Sequence, residues 1–328
     1  MRLTTRNIPS QNCLTDAYLN LRTVSGFLPN GNYIDIAKVE GDATYKAYML
    51  GSREEPSQII STKYCPFSQR ICQNWPFKSI HTQNALAPML KALVTAAEST
   101  LETSVSSVAV SAYDIGTIDH KLAKEDVHIA LSELGVNSYN RLDHVVRQLA
   151  PALGLRGNCS EPYTLPDHPG YHDDPEQIFF AIDYTRDSLT AGLWKEECGA
   201  MEMTSRLNSA DLGQTAMQTC RETAQNKETC EESFKSALRS VGANASREGN
   251  GEIGAVLAFG ECADDEAMLT TLRQVLGEQF PNRDSDSVDL SLVRGFSPDP
   301  AFAGSRAMAR TAWAARGSEH EVWHAEEL

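Results

Sequence analysis

The chain has 328 residues, 41% of them hydrophobic and 22% charged, which is enough apolar material for a sizeable core and, at about 150 residues per domain, for two domains or one bilobed body. Its 29 Lys and Arg stand against 44 Asp and Glu; the net charge of −15 excludes nucleic-acid binding by bulk electrostatics and disfavours an anionic membrane surface. No apolar run approaches the roughly 18 residues of a membrane helix, and Met1-Arg-Leu-Thr-Thr-Arg-Asn has no apolar leader, so a cytoplasmic or nuclear protein is expected, not a secreted one.

Residues 1–62 give weak signals. Thr23 to Leu28 and Tyr33 to Val39 flank Pro29-Asn-Gly-Asn32, a hairpin signature. Gly41-Asp42 suggests a further turn before Thr44 to Leu50, and residues 51–58 read as an exposed loop. From Ala85 to Leu101, apolar residues recur at 86, 89, 90, 93, 94, 97 and 101, the period of an amphipathic helix. Val105 to Val110 reads as a buried strand. Asp119 to Leu134 and Leu142 to Leu153 read as helices, the first closed by Gly135 and the second bent or broken by Pro151. Residues 156–177, rich in Gly, Pro, Asp and His, form the main boundary.

Beyond it, Ile178 to Tyr184, Leu189 to Trp194 and Ala200 to Arg206 read as strands, followed by helices at about 214–225 and 228–241. Ile253 to Phe259 is a strand, Ala263 to Glu278 a helix and Val288 to Val293 a short strand. Ala301 to Ala315 is an Ala-rich helix, and the tail from Gly317 reads as acidic and frayed. The expected division is an irregular or hairpin region 1–62, lobe one 63–160, a linker 161–177, lobe two 178–295, a closing helix 296–316 and a tail 317–328. Mixed alternation of this kind is α/β. No internal repeat of fixed period is visible. The eight cysteines (13, 65, 72, 159, 198, 220, 230 and 262) are dispersed without a Cys-x-x-Cys pair, so they are expected as reduced thiols.

Several stretches, taken in order, resemble the actin-like ATPase superfamily, in particular the nucleotide-binding domain of the seventy-kilodalton heat-shock chaperones. They are Val108-Ala-Val-Ser-Ala-Tyr113, the helices ending at Gly135 and at Ala152-Leu-Gly-Leu155, Phe180 to Leu193, Ala210-Asp-Leu-Gly213, Gly254 to Gly260 and Asp299 to Ala309. Together they cover roughly residues 105–315, with one outer subdomain shortened to 214–250. The spacing resembles that of divergent fungal members. The resemblance implies a two-lobed, ribonuclease-H-like ATPase fold with a reduced first phosphate-loop region. It implies ATP or ADP with Mg²⁺ as the candidate cofactor, and Asp183, Thr185, Arg186, Gly213 and Gly260 as the cleft residues.

The sequence departs from that family where phosphate would sit. The second phosphate loop should be an Asp followed by glycines, whose bare backbone lets N–H groups approach phosphate. Here Asp183 is followed by Tyr184-Thr-Arg-Asp187, with Asp187 adding negative charge that Arg186 could offset. The first phosphate loop has no recognisable counterpart in residues 1–60. The position of the family's catalytic glutamate falls near Val145. Gly260 is followed by the acidic Glu261-Cys-Ala-Asp-Asp265. No catalytic residue is therefore assigned. The expectation is a pseudo-ATPase that binds a protein partner as regulator or scaffold; the alternative is a weak ATPase using Asp183, Arg186 and Gly260.

Three further constellations carry metal-binding or thiol chemistry. His320-Glu321-Val-Trp-His324 has the zincin spacing, two His one helical turn apart with a Glu between, and a zinc-dependent hydrolase is the distant alternative to a solvated acidic tail. Asp167-His168 and His172-Asp-Asp174 could hold a divalent metal but read first as solvated linker. Cys65 and Cys72 read as structural thiols.

Overall fold

The computed structural model describes residues 16–20, 23–28, 30–45, 77–112, 120–138, 143–155, 177–197, 200–223, 227–243, 253–279 and 297–325. The expected loop 51–58, the Cys65/Cys72 and His168/His172 constellations and the strand 288–293 lie outside these residues, as does most of the linker.

The chain is a mixed α/β structure built on two mixed sheets. The first sheet holds β1 (Asp16–Asn20), β2 (Thr23–Phe27), β3 (Tyr33–Lys38), β4 (Ser107–Ala112) and β5 (Asn137–Ser138) in the order β3-β2-β1-β4-β5, with β6 (Asp143–His144) also on β4. β1, β2 and β3 form an antiparallel meander, and β4 runs parallel to β1 on its other side. The second sheet holds β7 (Gln177–Tyr184), β8 (Leu189–Glu197), β9 (Ala200–Ser209) and β10 (Ile253–Phe259) in the order β10-β7-β8-β9. Again three strands meander and a parallel strand, β10, flanks the first of them. The two sheets thus repeat one strand pattern that no sequence period announces. β1–β3, set apart in the sequence reading, belong to the same sheet as β4.

The helices are α1 (Phe77–Leu101), α2 (His120–Glu133), α3 (Val145–Ala152), α4 (Gln214–Thr223), α5 (Lys227–Gly242), α6 (Glu266–Gln279) and α7 (Ala303–Ala325). α1 buries Leu86, Met89, Leu90, Leu93, Val94 and Ala97, the apolar stripe of the sequence, against Val24, Val108 and Val110 of the first sheet. α2 ends at Gly135 (φ 72°) and α3 at Gly154 (φ 77°). Each end closes with a pair of backbone bonds, Val136 N–H to Leu131 O and Gly135 N–H to Ser132 O, Leu155 N–H to Ala150 O and Gly154 N–H to Pro151 O. These are Schellman closures. Pro151 sits in the last turn of α3, so it neither bends nor breaks the helix body.

The second sheet is covered on both faces. Ile178, Phe180, Ile182 and Tyr184 face the layer of α4, α5 and α6. Phe179, Ala181, Trp194, Leu257 and Phe259 face α3 and α7. α7 is Ala-rich because it packs on two sides: Ala303 and Ala307 join the second sheet's cluster, while Met308, Ala309 and Ala312 lie against Ala109 of the first. The helix runs to Ala325, where a frayed tail was expected. Ser318 to Ala325 contains no Pro or Gly, so nothing in that stretch stops the propagation.

One expectation is overturned in this layer. Cys220 of α4 and Cys230 of α5 form a disulfide, their Cα atoms 6.1 Å apart. The packing of α4 beside α5 brings together two cysteines ten residues apart, a spacing outside the Cys-x-x-Cys pattern. Cys262 is the free cysteine among the described residues.

Candidate functional site

The hairpin joining β7 to β8 turns through Thr185-Arg-Asp-Ser188, and its interior is filled by its own hydroxyls. Thr185 N–H donates to Ser188 O at 2.9 Å, and Ser188 N–H to Thr185 Oγ1 at 3.0 Å. The two hydroxyl oxygens lie 3.1 Å apart. Both side chains are buried, so these bonds hold the turn shut where water cannot compete.

Two glycines permit close approach to this turn. A Cβ on Gly213 would stand 2.4 Å from Ser188 N and 2.5 Å from the Asp187 carbonyl carbon. That closeness lets α4 begin directly on the hairpin: Gln214 N–H donates to Thr185 O and Thr215 N–H to Arg186 O, both at 3.0 Å. Gly260, at the end of β10, has φ 98°, and a Cβ there would stand 2.3 Å from Asp183 Oδ1 and 2.6 Å from Tyr184 O. Only glycine fits such a conformation at that distance. The turn it starts returns Cys262 N–H to Tyr184 O at 3.0 Å.

The electrostatics are decided by Glu261. Its carboxylate accepts from Arg186 N–H at 3.1 Å, from Arg186 Nε at 3.0 Å and from Arg186 Nη2 at 3.2 Å. Lys38 Nζ, at the end of β3, lies 3.8 Å away, and Glu40 reaches Arg186 Nη2 at 3.6 Å. Arg186 is half exposed, whereas the Glu261 side chain is only 14% exposed. The hydrogen bond to Glu261, with the nearby carboxylates, raises the Arg186 pKa further. A protein carboxylate thus sits on a backbone N–H and two cationic side chains, the donor set that an external anion would use.

Beneath this surface Gln214 bridges two groups. Its Oε1 accepts from the Cys262 thiol at 3.1 Å and its Nε2 donates to Asp265 Oδ2 at 3.0 Å. Burial, reinforced by Glu261, pushes the Cys262 pKa up to about 11. Burial and the charge of Asp265 push Tyr184 above its ordinary value as well.

A short 3₁₀ turn, Pro300–Phe302, stitches the two sheets at this level. Pro300 O accepts from Gly260 N–H at 3.3 Å, and Ala301 O accepts from Thr23 Oγ1 at 3.4 Å. Thr23 also donates to Ser305 Oγ at 3.1 Å, and Ser25 Oγ lies 2.7 Å from the same hydroxyl. Arg306 then holds Asp35 bidentately, Nε to Oδ1 at 2.8 Å and Nη2 to Oδ2 at 2.6 Å, with its guanidinium over the Tyr33 ring.

The five residues named from the sequence, Asp183, Thr185, Arg186, Gly213 and Gly260, therefore converge at one end of the second sheet. Arg186 is committed to Glu261 and Glu40 more than to Asp187. Val145 is fully buried among apolar neighbours. His320 and His324 stand one turn apart near the end of α7, and among the described residues no group of three or more His, Cys, Asp or Glu is placed to hold a metal ion. Sequence reasoning noted the acidity after Gly260 but missed Glu261 as a partner of Arg186, along with Lys38, Gln214 and the Thr23–Ser305 stitch. The only available signal was opposite charge at separated positions, which one sequence cannot pair. No family model matches the chain, and no curated protein matches it. No described helix is long and apolar enough to cross a membrane.

Proposed function

We propose that the chain is an actin-like pseudo-ATPase, related in design to the heat-shock chaperone nucleotide-binding domain, that acts as a cytoplasmic or nuclear protein-binding regulator or scaffold without efficient ATP hydrolysis. The repeated strand pattern of the two sheets supports the scaffold half of this reading. One observation carries the functional half: Glu261 occupies the donors, Arg186 N–H and the Arg186 guanidinium, with Lys38 close by, that a phosphate tail would need. The Thr185 and Ser188 amides are spent within the turn. Gly213 and Gly260 use their missing Cβ atoms to admit the protein's own backbone and Asp183, not a ligand. ATP with Mg²⁺ does not fit residues arranged in this way.

With phosphoryl transfer set aside, what the scaffold retains is surface, and a protein partner is the remaining use we assign to it. The convergence of Asp183, Arg186 and Gly260 favours a second reading, a weak ATPase. Turnover assays separate the two. Purified protein should release no phosphate from Mg·ATP above the buffer rate; turnover that Asp183→Ala abolishes would replace the first reading with the second.

A further inference from the structure

α4 is a weakly held helix that carries much of the site. Among its ten residues only Met217 is buried. Its N-terminus supplies the two amides that bind the hairpin carbonyls, and its first residue, Gln214, covers Cys262 and bonds Asp265. Two turns further on, Cys220 ties it to Cys230 of α5. α5, by contrast, is set in the core through Cys230, Phe234, Leu238 and Val241. The disulfide therefore joins a helix with little apolar anchorage to one with a great deal.

We propose that the Cys220–Cys230 disulfide is a redox latch: oxidised, it holds α4 down over Cys262 and the 185–188 hairpin; reduced, it lets α4 open locally and uncovers them. The proposal concerns the same hairpin but does not depend on what, if anything, binds there. Local opening is set by the few contacts a segment makes. The cross-link removes open conformations that the ten-residue separation would otherwise allow. In a reducing compartment such bonds are more often regulatory than permanent.

The co-reactant is a dithiol reductant. Its thiolate attacks Cys220 Sγ, since Cys220 is partly buried while Cys230 is 3% exposed. The Cys220–Cys230 bond breaks, and Cys230 leaves as thiolate and takes up a proton. The reductant's second thiol then displaces Cys220, which is also protonated, and the reductant departs as its own disulfide. Two electrons pass from reductant to protein, and reoxidation reverses the step.

Cys262 is a built-in reporter, because its thiol is covered in the latched state and its pKa is pushed up by burial. The test is peptide-resolved alkylation of the full chain with iodoacetamide, read by mass spectrometry. Non-reducing digestion should first recover Cys220 and Cys230 in one cross-linked peptide. After dithiothreitol treatment and its removal, the Cys262 peptide should label about tenfold faster, and reoxidation should restore the slow rate. Cys220→Ser with Cys230→Ser should label at the fast rate without reductant. Thermal unfolding followed by circular dichroism accompanies each sample. Equal Cys262 rates in oxidised and reduced protein, absence of the cross-linked peptide, or loss of the cooperative thermal transition on reduction would each overturn the latch. The last outcome would make the bond a structural staple.

Discussion

The two sheets carry the same meander with the same parallel neighbour, yet their meanders are secured by opposite means. In the second sheet, the β7–β8 turn is closed from within by Thr185 and Ser188 and capped by Glu261, two residues beyond the strand that flanks it. In the first sheet, β2 is held from outside, through Thr23 and Ser25 to Ser305 and through Asp35 of β3 to Arg306, all toward α7. One meander has a filled turn and the other is tied to α7. Both sets of contacts are made within the chain, the tie between β2–β3 and α7 and the closure inside the β7–β8 turn.

Breaking the filled turn should cost most. Gly260→Ala places a Cβ against Asp183 and Tyr184 at a φ that L-residues avoid, and should destabilise by about 3–5 kcal/mol in urea unfolding. Gly31→Ala, in the β2–β3 turn with φ 81° but open space around it, should cost only about 1 kcal/mol. Equal effects would remove the contrast between a packed turn and a solvated one.

Breaking the tie should come next. Asp35→Ala leaves Arg306 partly buried without its carboxylate and should cost about 2–3 kcal/mol, while Asp35→Ala with Arg306→Met should recover part of that. A double-mutant cycle measures the difference, and a coupling of zero would show the tie to be idle. Alkaline pH should then weaken the filled end specifically. Cys262 titrates near 11 in the folded chain against an ordinary 9, and Tyr184 is raised as well. The folded state holds the Cys262 proton where the unfolded state has lost it, so that stabilisation is intact below about pH 9 and is lost as pH rises through about 11, while the Tyr184 contribution is lost only at still higher pH. Cys262→Ala should flatten that slope in a denaturation series. The smallest stability change belongs to Glu261→Gln, less than about 1 kcal/mol because Arg186 is half exposed. Its consequence should show instead as pyrophosphate binding at low ionic strength, measured by calorimetry and absent from the wild type.

Much of the frame was legible because apolar period and end signals agree. Leu86 to Ala97 marks the buried face of α1, and Gly135 and Gly154 supply the positive φ that ends α2 and α3. Ile178 to Tyr184 reads as a strand covered on both faces because it is one. The misses are non-local. β1, Asp-Ala-Tyr-Leu-Asn, is too short and mixed to announce itself, and its place is fixed by pairing with β4 some ninety residues on. Without β1 the repeat of the two sheets could not be seen. Of the site, the five residues named from the sequence do converge, but what caps the turn, Glu261 against Arg186, spans 75 residues. The Cys220–Cys230 bond depends on how α4 packs beside α5, which no composition rule supplies.

The central claim is that the hairpin after Asp183 is already filled by protein. The most direct measurement is a calorimetric titration of the wild-type chain with Mg·ATP, paired with thermal unfolding at the same concentrations. No saturable heat and no rise in Tm are expected up to about 1 mM nucleotide. Saturable binding with a raised Tm, both lost in Asp183→Ala, would contradict it.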